Sequence, residues 1–249
     1  MRISLVILTC NQRYYTLRCL RALEKFMAEP DCEVILVDNG STDGTHELVA
    51  HEFENTRIIR LDQNRGVAVG RNIGLRLATG RHLMILDNDT IATSEAIFAL
   101  SAYLDRHPEV GVVGPRLTNP DGLIQTSYKP FPGIAVKIRN VLAGASRTSI
   151  AVNPPQEPFE PFYVIGAAQM FPRYIYEAVG GLDENIFYGP EDADFCMAVR
   201  RIGKKIVYNP GITIIHDWQR ATTSRLFSAG ARYHIAALLY FYRKHRRLL

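Results

Sequence analysis

The sequence predicts an α/β fold, and three observations carry that prediction. Short apolar runs alternate with helical spacing in the order βαβαβ over the first third of the chain. Three of those runs end in polar groups: Thr9 and Asn11 after the first, Asp38 and Asn39 after the second, Asp87 and Asp89 after the fourth. With 249 residues, 47% of them hydrophobic, the chain can bury a sizeable core as one domain or two closely fused halves.

Arg2 to Leu8 is apolar and β-branched, and Thr9-Cys10-Asn11 breaks it, which predicts the first strand. Tyr14 to Met27 places Leu17, Leu20, Leu23 and Phe26 at near-helical spacing. Glu33 to Val37 is the second strand, followed by Asp38-Asn39-Gly40-Ser41-Thr42-Asp43-Gly44, dense in turn and helix-capping residues. A helix over Thr45 to Phe53 and a strand over Thr56 to Leu61 come next. The stretch from Gly66 to Leu77 has helical spacing although glycine weakens helices, so Gly70 and Gly74 are expected where the backbone approaches a strand or a nucleotide. Arg71 on that surface is placed to meet phosphate. The glycine spacing fits neither a dinucleotide fingerprint nor a P-loop, which excludes both.

Arg81 to Leu86 forms the fourth strand, Ser94 to Arg106 a helix that stops before Pro108, and Val110 to Val113 a further strand. Lys129 to Pro161 carries six prolines with Lys137, Arg139 and Arg147, the composition of an irregular loop. Phe162 to Phe171 returns to strand character, interrupted by Gly166-Ala167-Ala168, and Pro172 to Val179 is a short helix. The acidic run Asp183 to Asp194 opens a helix to about Ile202, and Val207 to Ile215 leads into His216-Asp217-Trp218.

The net charge of +4 is unevenly spread. All 25 acids lie at or before Asp217, whereas seven Arg and Lys and no acid follow Arg220 inclusive. The body is therefore slightly acidic, which argues against nucleic-acid binding, and the basic character belongs to a C-terminal appendage. Residues 225–249 mix Leu226, Phe227, Ile235, Leu238, Leu239, Tyr240 and Phe241 with Arg and Lys. They are read either as an amphipathic helix on an anionic membrane or as a helix packed on the domain. Cys10, Cys19, Cys32 and Cys196 lack paired spacing, so no zinc cluster or disulfide framework is indicated. No apolar run reaches the ~20 residues that span a bilayer, and a cytoplasmic location, peripheral on the inner face of the membrane, is expected.

Asp87 and Asp89 flank Asn88 at the end of a buried strand, where a tight bend aims both carboxylates at one hard cation. The same residues also suit a polar turn. In Pro190-Glu191-Asp192-Ala193-Asp194, proline and acids suit a helix N-terminus. Three acids in four residues exceed what capping requires, and Asp192 is the candidate general base. His216 ends an apolar strand and is either a structural histidine or a ligand for a Mn²⁺-like ion. Trp218, the only tryptophan, packs in the core or stacks on a sugar or base.

In four motifs and their order the chain resembles the family 2 glycosyltransferases of the GT-A fold, and more narrowly the rhamnosyltransferase-like branch that builds bacterial surface polysaccharides. The motifs are Val6 to Asn11, Val37 to Asp43, Asn64-Arg65-Gly66 through Arg71-Asn72 to Asp89, and Gly189 to Asp194 followed by His216. The resemblance implies a Rossmann-like nucleotide half over residues 1–89 and an acceptor half over 90–219, fused around a mixed, mostly parallel central sheet, and a C-terminal basic segment over 220–249. It implies Mg²⁺ or Mn²⁺ held by Asp89, Asp87 and His216, with Asn88 standing where many relatives carry a third aspartate. Thr9, Asn11, Asp38 and Asn39 would hold base and ribose, Arg71 would lie near base or phosphate, and Asp192 would be the base. The implied donor is a dTDP- or UDP-sugar, rhamnose first, and the implied acceptor a glycan or lipid-linked acceptor. A nucleotidyltransferase would need a glycine-rich phosphate loop after the first strand, and Thr9-Cys10-Asn11-Gln12 is not one. A non-catalytic sugar-nucleotide-binding module leaves Glu191, Asp192, Asp194 and His216 without a task.

Overall fold

β1 (Ile3–Thr9) lies between β2 (Cys32–Asp38) and β4 (His82–Asp87), parallel to both, in the computed structural model, which describes residues 2–130, 150–151, 153–218 and 229–245. These strands are buried on both faces, so they read as continuous apolar runs. Side-chain alternation divides them between two cores. Ile3, Leu5, Ile7, Met84 and Leu86 face one cluster, and Val6, Val37, Leu83 and Ile85 the other.

The first core is covered by α1 (Arg13–Ala22), α2 (Glu24–Met27) and α5 (Ser94–Arg106), the second by α4 (Val67–Leu77). The single helix expected over Tyr14 to Met27 is two. At Leu23 the backbone tightens, with its N–H donating to the Leu20 carbonyl, and this turn buries both Leu23 and Phe26. α3 (Thr45–Glu52) and β3 (Thr56–Arg60) complete the first half. A Cβ at Gly70 or Gly74 would collide with Leu8 or Val6 of β1, so both glycines bring α4 onto the sheet, as their positions predict.

The sheet runs β3-β2-β1-β4-β10-β6-β11-β5, with β7 added on β6. Its later strands are β5 (Thr90–Ile91), β6 (Val110–Thr118), β7 (Ile124–Gln125), β10 (Ala168–Pro172) and β11 (Lys205–His216). β8 (Tyr128–Lys129) and β9 (Tyr163–Val164) pair separately. β10 is antiparallel to both β4 and β6 and so joins a parallel block of four strands to the parallel pair β6 and β11. β6 extends five residues past the expected Val113. Pro115 is accommodated because β11 shifts register opposite it, between Asn209 and Thr213.

α6 (Arg173–Val179) and α7 (Glu191–Arg201) lie in the second core, where Ile175 and Phe195 are buried. α8 (Ala229–His245) packs there too, through Phe241 and Tyr242. Lys244 reaches Asp183 at 2.7 Å and Asp194 at 2.8 Å, and His245 Nε2 lies 2.6 Å from Asp194. These contacts pack the helix on the domain, as the second reading of the tail expects. Its outer side exposes Ile235 and Leu239. The expected loop residues Lys137, Arg139 and Arg147, with the rest of 131–149, lie outside the described residues, as do 219–228 and 246–249. Among the described residues no helix is long and apolar enough to cross a membrane.

Candidate active site and metal centre

The turn after β4 is pinned to the end of β11. Thr90 pairs with His216 in the β5/β11 ladder, and the Asp217 N–H donates to the Asp89 carbonyl at 2.8 Å. This pairing brings Asp87, Asp89 and His216 together across 129 residues of sequence, with one ligand atom of each within 4.8 Å of the others. His216 Nε2 lies 3.2 Å from Asp89 Oδ1. Burial lowers the pKa of His216, but the Asp89 hydrogen bond and the charges of Asp89, Asp87 and Asp217 outweigh it and raise it overall. Two carboxylates and an imidazole are a donor set that suits Mn²⁺ or Mg²⁺. Arg18 of α1 braces this corner through a 2.6 Å ion pair with Asp217.

Behind the trio, the buried guanidinium of Arg71 donates to Asp87 at 2.6 Å, to Glu191 at 3.1 Å and to the Gly166 carbonyl at 3.0 Å. The interruption at Gly166 in the sequence has its reason here: a Cβ would stand 2.6 Å from the guanidinium. The Gly166 N–H donates to Asp192 Oδ2 at 3.1 Å, and Asp192 Oδ1 accepts from the Ala193 N–H at 2.7 Å. Gly166 thus ties the arginine behind the metal trio to the candidate base. Burial raises Asp87, Arg71 opposes this, and Asp89 adds to it. Burial likewise pushes Glu191 up to about 7 against the pull of Arg71.

The other nominated residues lie at the ends of β1 and β2. Thr9 and Asn88 are buried around Thr16: the Asn88 amide donates to Thr9 Oγ1 at 3.2 Å and to Thr16 Oγ1 at 3.0 Å, and the two hydroxyls are 2.8 Å apart. Asn88 therefore points inward while Asp87 and Asp89 form the trio. Asn11, at φ 53°, accepts from the Thr42 N–H at 2.8 Å. Asn39 holds the loop before α4, donating to Asn64 and to the Gly66 carbonyl and accepting from the Arg65 N–H. Asp38 accepts from the Ser41 N–H through Oδ1, while its buried Oδ2 has no partner among the described residues. An unpaired buried carboxylate oxygen is costly unless a ligand donates to it.

Clefts open beyond the end of β1 and beyond the ends of β6 and β11. One of about 290 Å³ is lined by Asn11, Arg13, Tyr14 and Asp43 among others, and one of about 260 Å³ by Asn119, Asp121, Asp217 and Trp218. Trp218 thus lines a cleft beside His216. Sequence reasoning missed Gln125, whose amide donates to the His216 carbonyl at 3.0 Å, and Arg18 and Gly166 as parts of the site. The Gly166 interruption was the only signal, because the other two act through contacts 91 and 199 residues away.

The profile described as "Glycosyl transferase family 2" matches residues 4–180. The chain belongs to glycosyltransferase family 2. This family 2 glycosyltransferase is 28% identical over 214 residues to the "dTDP-rhamnosyl transferase RfbF" of Shigella flexneri, covering 85% of this chain and 67% of that one. It is 27% identical over 247 residues to an "N-acetylglucosaminyl-diphospho-decaprenol L-rhamnosyltransferase" of Mycobacterium tuberculosis, covering 90% and 80%. Among solved structures, the mannosyltransferase from Pyrobaculum calidifontis in complex with GDP-Man and Mn²⁺ matches with TM-score 0.63 at 19% identity, over 89% of this chain and 58% of that one. GalNAc-T7 with UDP, GalNAc and Mn²⁺ matches with TM-score 0.69 at 16% identity, over 97% and 48%. The chain thus spans about half the length of these solved chains, and the shared architecture is the GT-A fold.

Proposed function

We propose that this glycosyltransferase moves a sugar, with rhamnose the first candidate, from a nucleoside-diphosphate donor to a hydroxyl of a glycan or lipid-linked acceptor in bacterial surface polysaccharide synthesis, with inversion. The carrying observation is the convergence of Asp87, Asp89 and His216 at the carboxyl ends of the strands, where ligands of open α/β sheets bind. Rhamnose and the dTDP carrier are supported by the name of the Shigella relative. A UDP-sugar is the second donor class.

In this reading Asp87, Asp89 and His216 hold Mg²⁺ or Mn²⁺, which when bound supplies positive charge beside the departing diphosphate. Residues 1–89 hold the donor, with Asp38 Oδ2 accepting from its base or ribose and Thr9, Asn11, Asn39 and Asn88 shaping that end. Arg71 keeps the acidic cluster together from below. Asp192 takes the proton from the acceptor hydroxyl that attacks the anomeric carbon opposite the leaving group. Two backbone N–H groups hold its carboxylate in one orientation. Residues 90–219 carry the acceptor side.

The tail supports peripheral attachment at the inner face of the membrane. Ile235 is 52% exposed and Leu239 67%, one helical turn apart on α8 with exposed Arg243 a turn further.

A thermal-shift screen of dTDP-, UDP- and GDP-sugars with Mg²⁺ and with Mn²⁺ tests the donor assignment. The proposal expects the largest stabilisation from dTDP-rhamnose, and only with a divalent ion present. Stabilisation that is equal with and without the ion would remove the metal from the account.

A further inference from the structure

Gln125 is fully buried on β7 and makes two hydrogen bonds to one residue. Its Nε2 lies 3.0 Å from the His216 carbonyl oxygen, and its Oε1 2.9 Å from His216 Nδ1. A backbone carbonyl only accepts, so the amide nitrogen must face it, and the amide oxygen is then the atom on Nδ1. An amide oxygen also only accepts, so Nδ1 carries a hydrogen. In the neutral ring the lone pair is therefore on Nε2, the atom 3.2 Å from Asp89 Oδ1.

We infer that Gln125 is a positioning residue that locks His216 in its Nδ1–H tautomer and turns the Nε2 lone pair toward the cation shared with Asp87 and Asp89. The hydrogen on Nδ1 follows from the Gln125 geometry; Nε2 faces Asp89 Oδ1 and shares a second proton with it when the ring is charged, and the cation that takes that proton's place rests on the function proposed above. A metal-bound histidine is held in this way when its second ring nitrogen donates to a fixed acceptor. Here the acceptor is fixed twice over. Gln125 pairs with Leu117 in the β6/β7 ladder, and its own carbonyl accepts from the Ser127 N–H at 2.9 Å. The amide that grips the ring also grips the backbone of the same residue, so rotation of the ring breaks the pair.

Two measurements test this on the full chain. Two-bond ¹⁵N–¹H spectra of the metal-free protein, at a pH where the histidine rings are neutral, report which nitrogen carries the proton, with His216 assigned by loss of its signals in His216→Gln. The expected result is a protonated Nδ1 in wild type, retained in Gln125→Glu, which keeps an acceptor there, and lost or mixed in Gln125→Leu. An Nε2–H tautomer in wild type overturns the inference whether or not any variant folds. Mn²⁺ titration followed by electron paramagnetic resonance should show ~10–100-fold weaker binding in Gln125→Leu, with Asp89→Asn as control. If Asp89→Asn loses Mn²⁺ and a folded Gln125→Leu binds as wild type does, the positioning role fails and the metal reading survives. If wild type itself does not bind Mn²⁺, the metal reading fails and the cation half of the inference falls with it.

Discussion

Arg71 donates to Asp87 at 2.6 Å from the buried side of the carboxylate, so the first acid of the trio is held from behind by a cation that also bonds Glu191. Replacing it with methionine keeps most of the volume and leaves Asp87 and Glu191 without their shared counter-charge. Removing one partner of a buried ion pair costs about 3–5 kcal/mol. Arg71→Met is therefore expected to lower the free energy of unfolding in urea by an amount in that range, and the double variant Arg71→Met/Glu191→Gln to recover part of it.

Gly166 couples that arginine to Asp192 through its carbonyl and its N–H. Gly166→Ala puts a methyl 2.6 Å from the guanidinium, so either Arg71 or the 166 backbone must shift. Misplacing a catalytic group by ~1 Å costs on the order of 10²-fold in rate. The expected result in steady-state kinetics is a fall in kcat of that size, with a much smaller change in the donor KM.

Glu191 gives the stability a pH dependence of defined sign. Burial holds its pKa up at about 7, against 4.5 for the ordinary group. Between those values the folded state keeps a proton that the unfolded state has released, so this contribution is full below 4.5 and is lost as pH rises through 7. Urea unfolding from pH 4.5 to 7.5 should show wild type losing stability relative to Glu191→Gln as pH rises.

The parts of this protein legible in its sequence are those written locally. β1, β2 and β4 are buried on both faces and appear as unbroken apolar runs, and Gly70 and Gly74 mark the contact between α4 and β1. The Asp87/Asp89 pair stood out because two acids end a buried strand. What could not be read is what depends on the sheet's second half. β7 is two residues long and carries no periodicity, so nothing singled out Gln125. The helical spacing around Arg71 points to a surface near base or phosphate, whereas its burial arises from Glu191 and Gly166, which pack against it from 120 and 95 residues away. The tail's composition served a membrane helix and a packed helix equally well, and its packing on the domain shows only in contacts such as those of Lys244 and His245 with Asp194.

Because α8 is packed, its membrane contact is tested at its exposed side and not by deletion. Ile235→Ser/Leu239→Ser should reduce co-sedimentation with anionic liposomes several-fold and leave the melting temperature within a degree or two, since both side chains are largely exposed. Equal co-sedimentation of this variant and wild type would count against the membrane surface.

The central claim is that Asp192 acts on the acceptor while the Asp87/Asp89/His216 corner acts on the donor. Donor binding and sugar transfer measured on Asp192→Asn, with dTDP-rhamnose and Mn²⁺, test it most directly. The account predicts donor affinity within a factor of about three of wild type and transfer slowed by ~10²–10⁴-fold, the range that general-base catalysis contributes. A variant that binds donor equally well and keeps most of its transfer rate would contradict it.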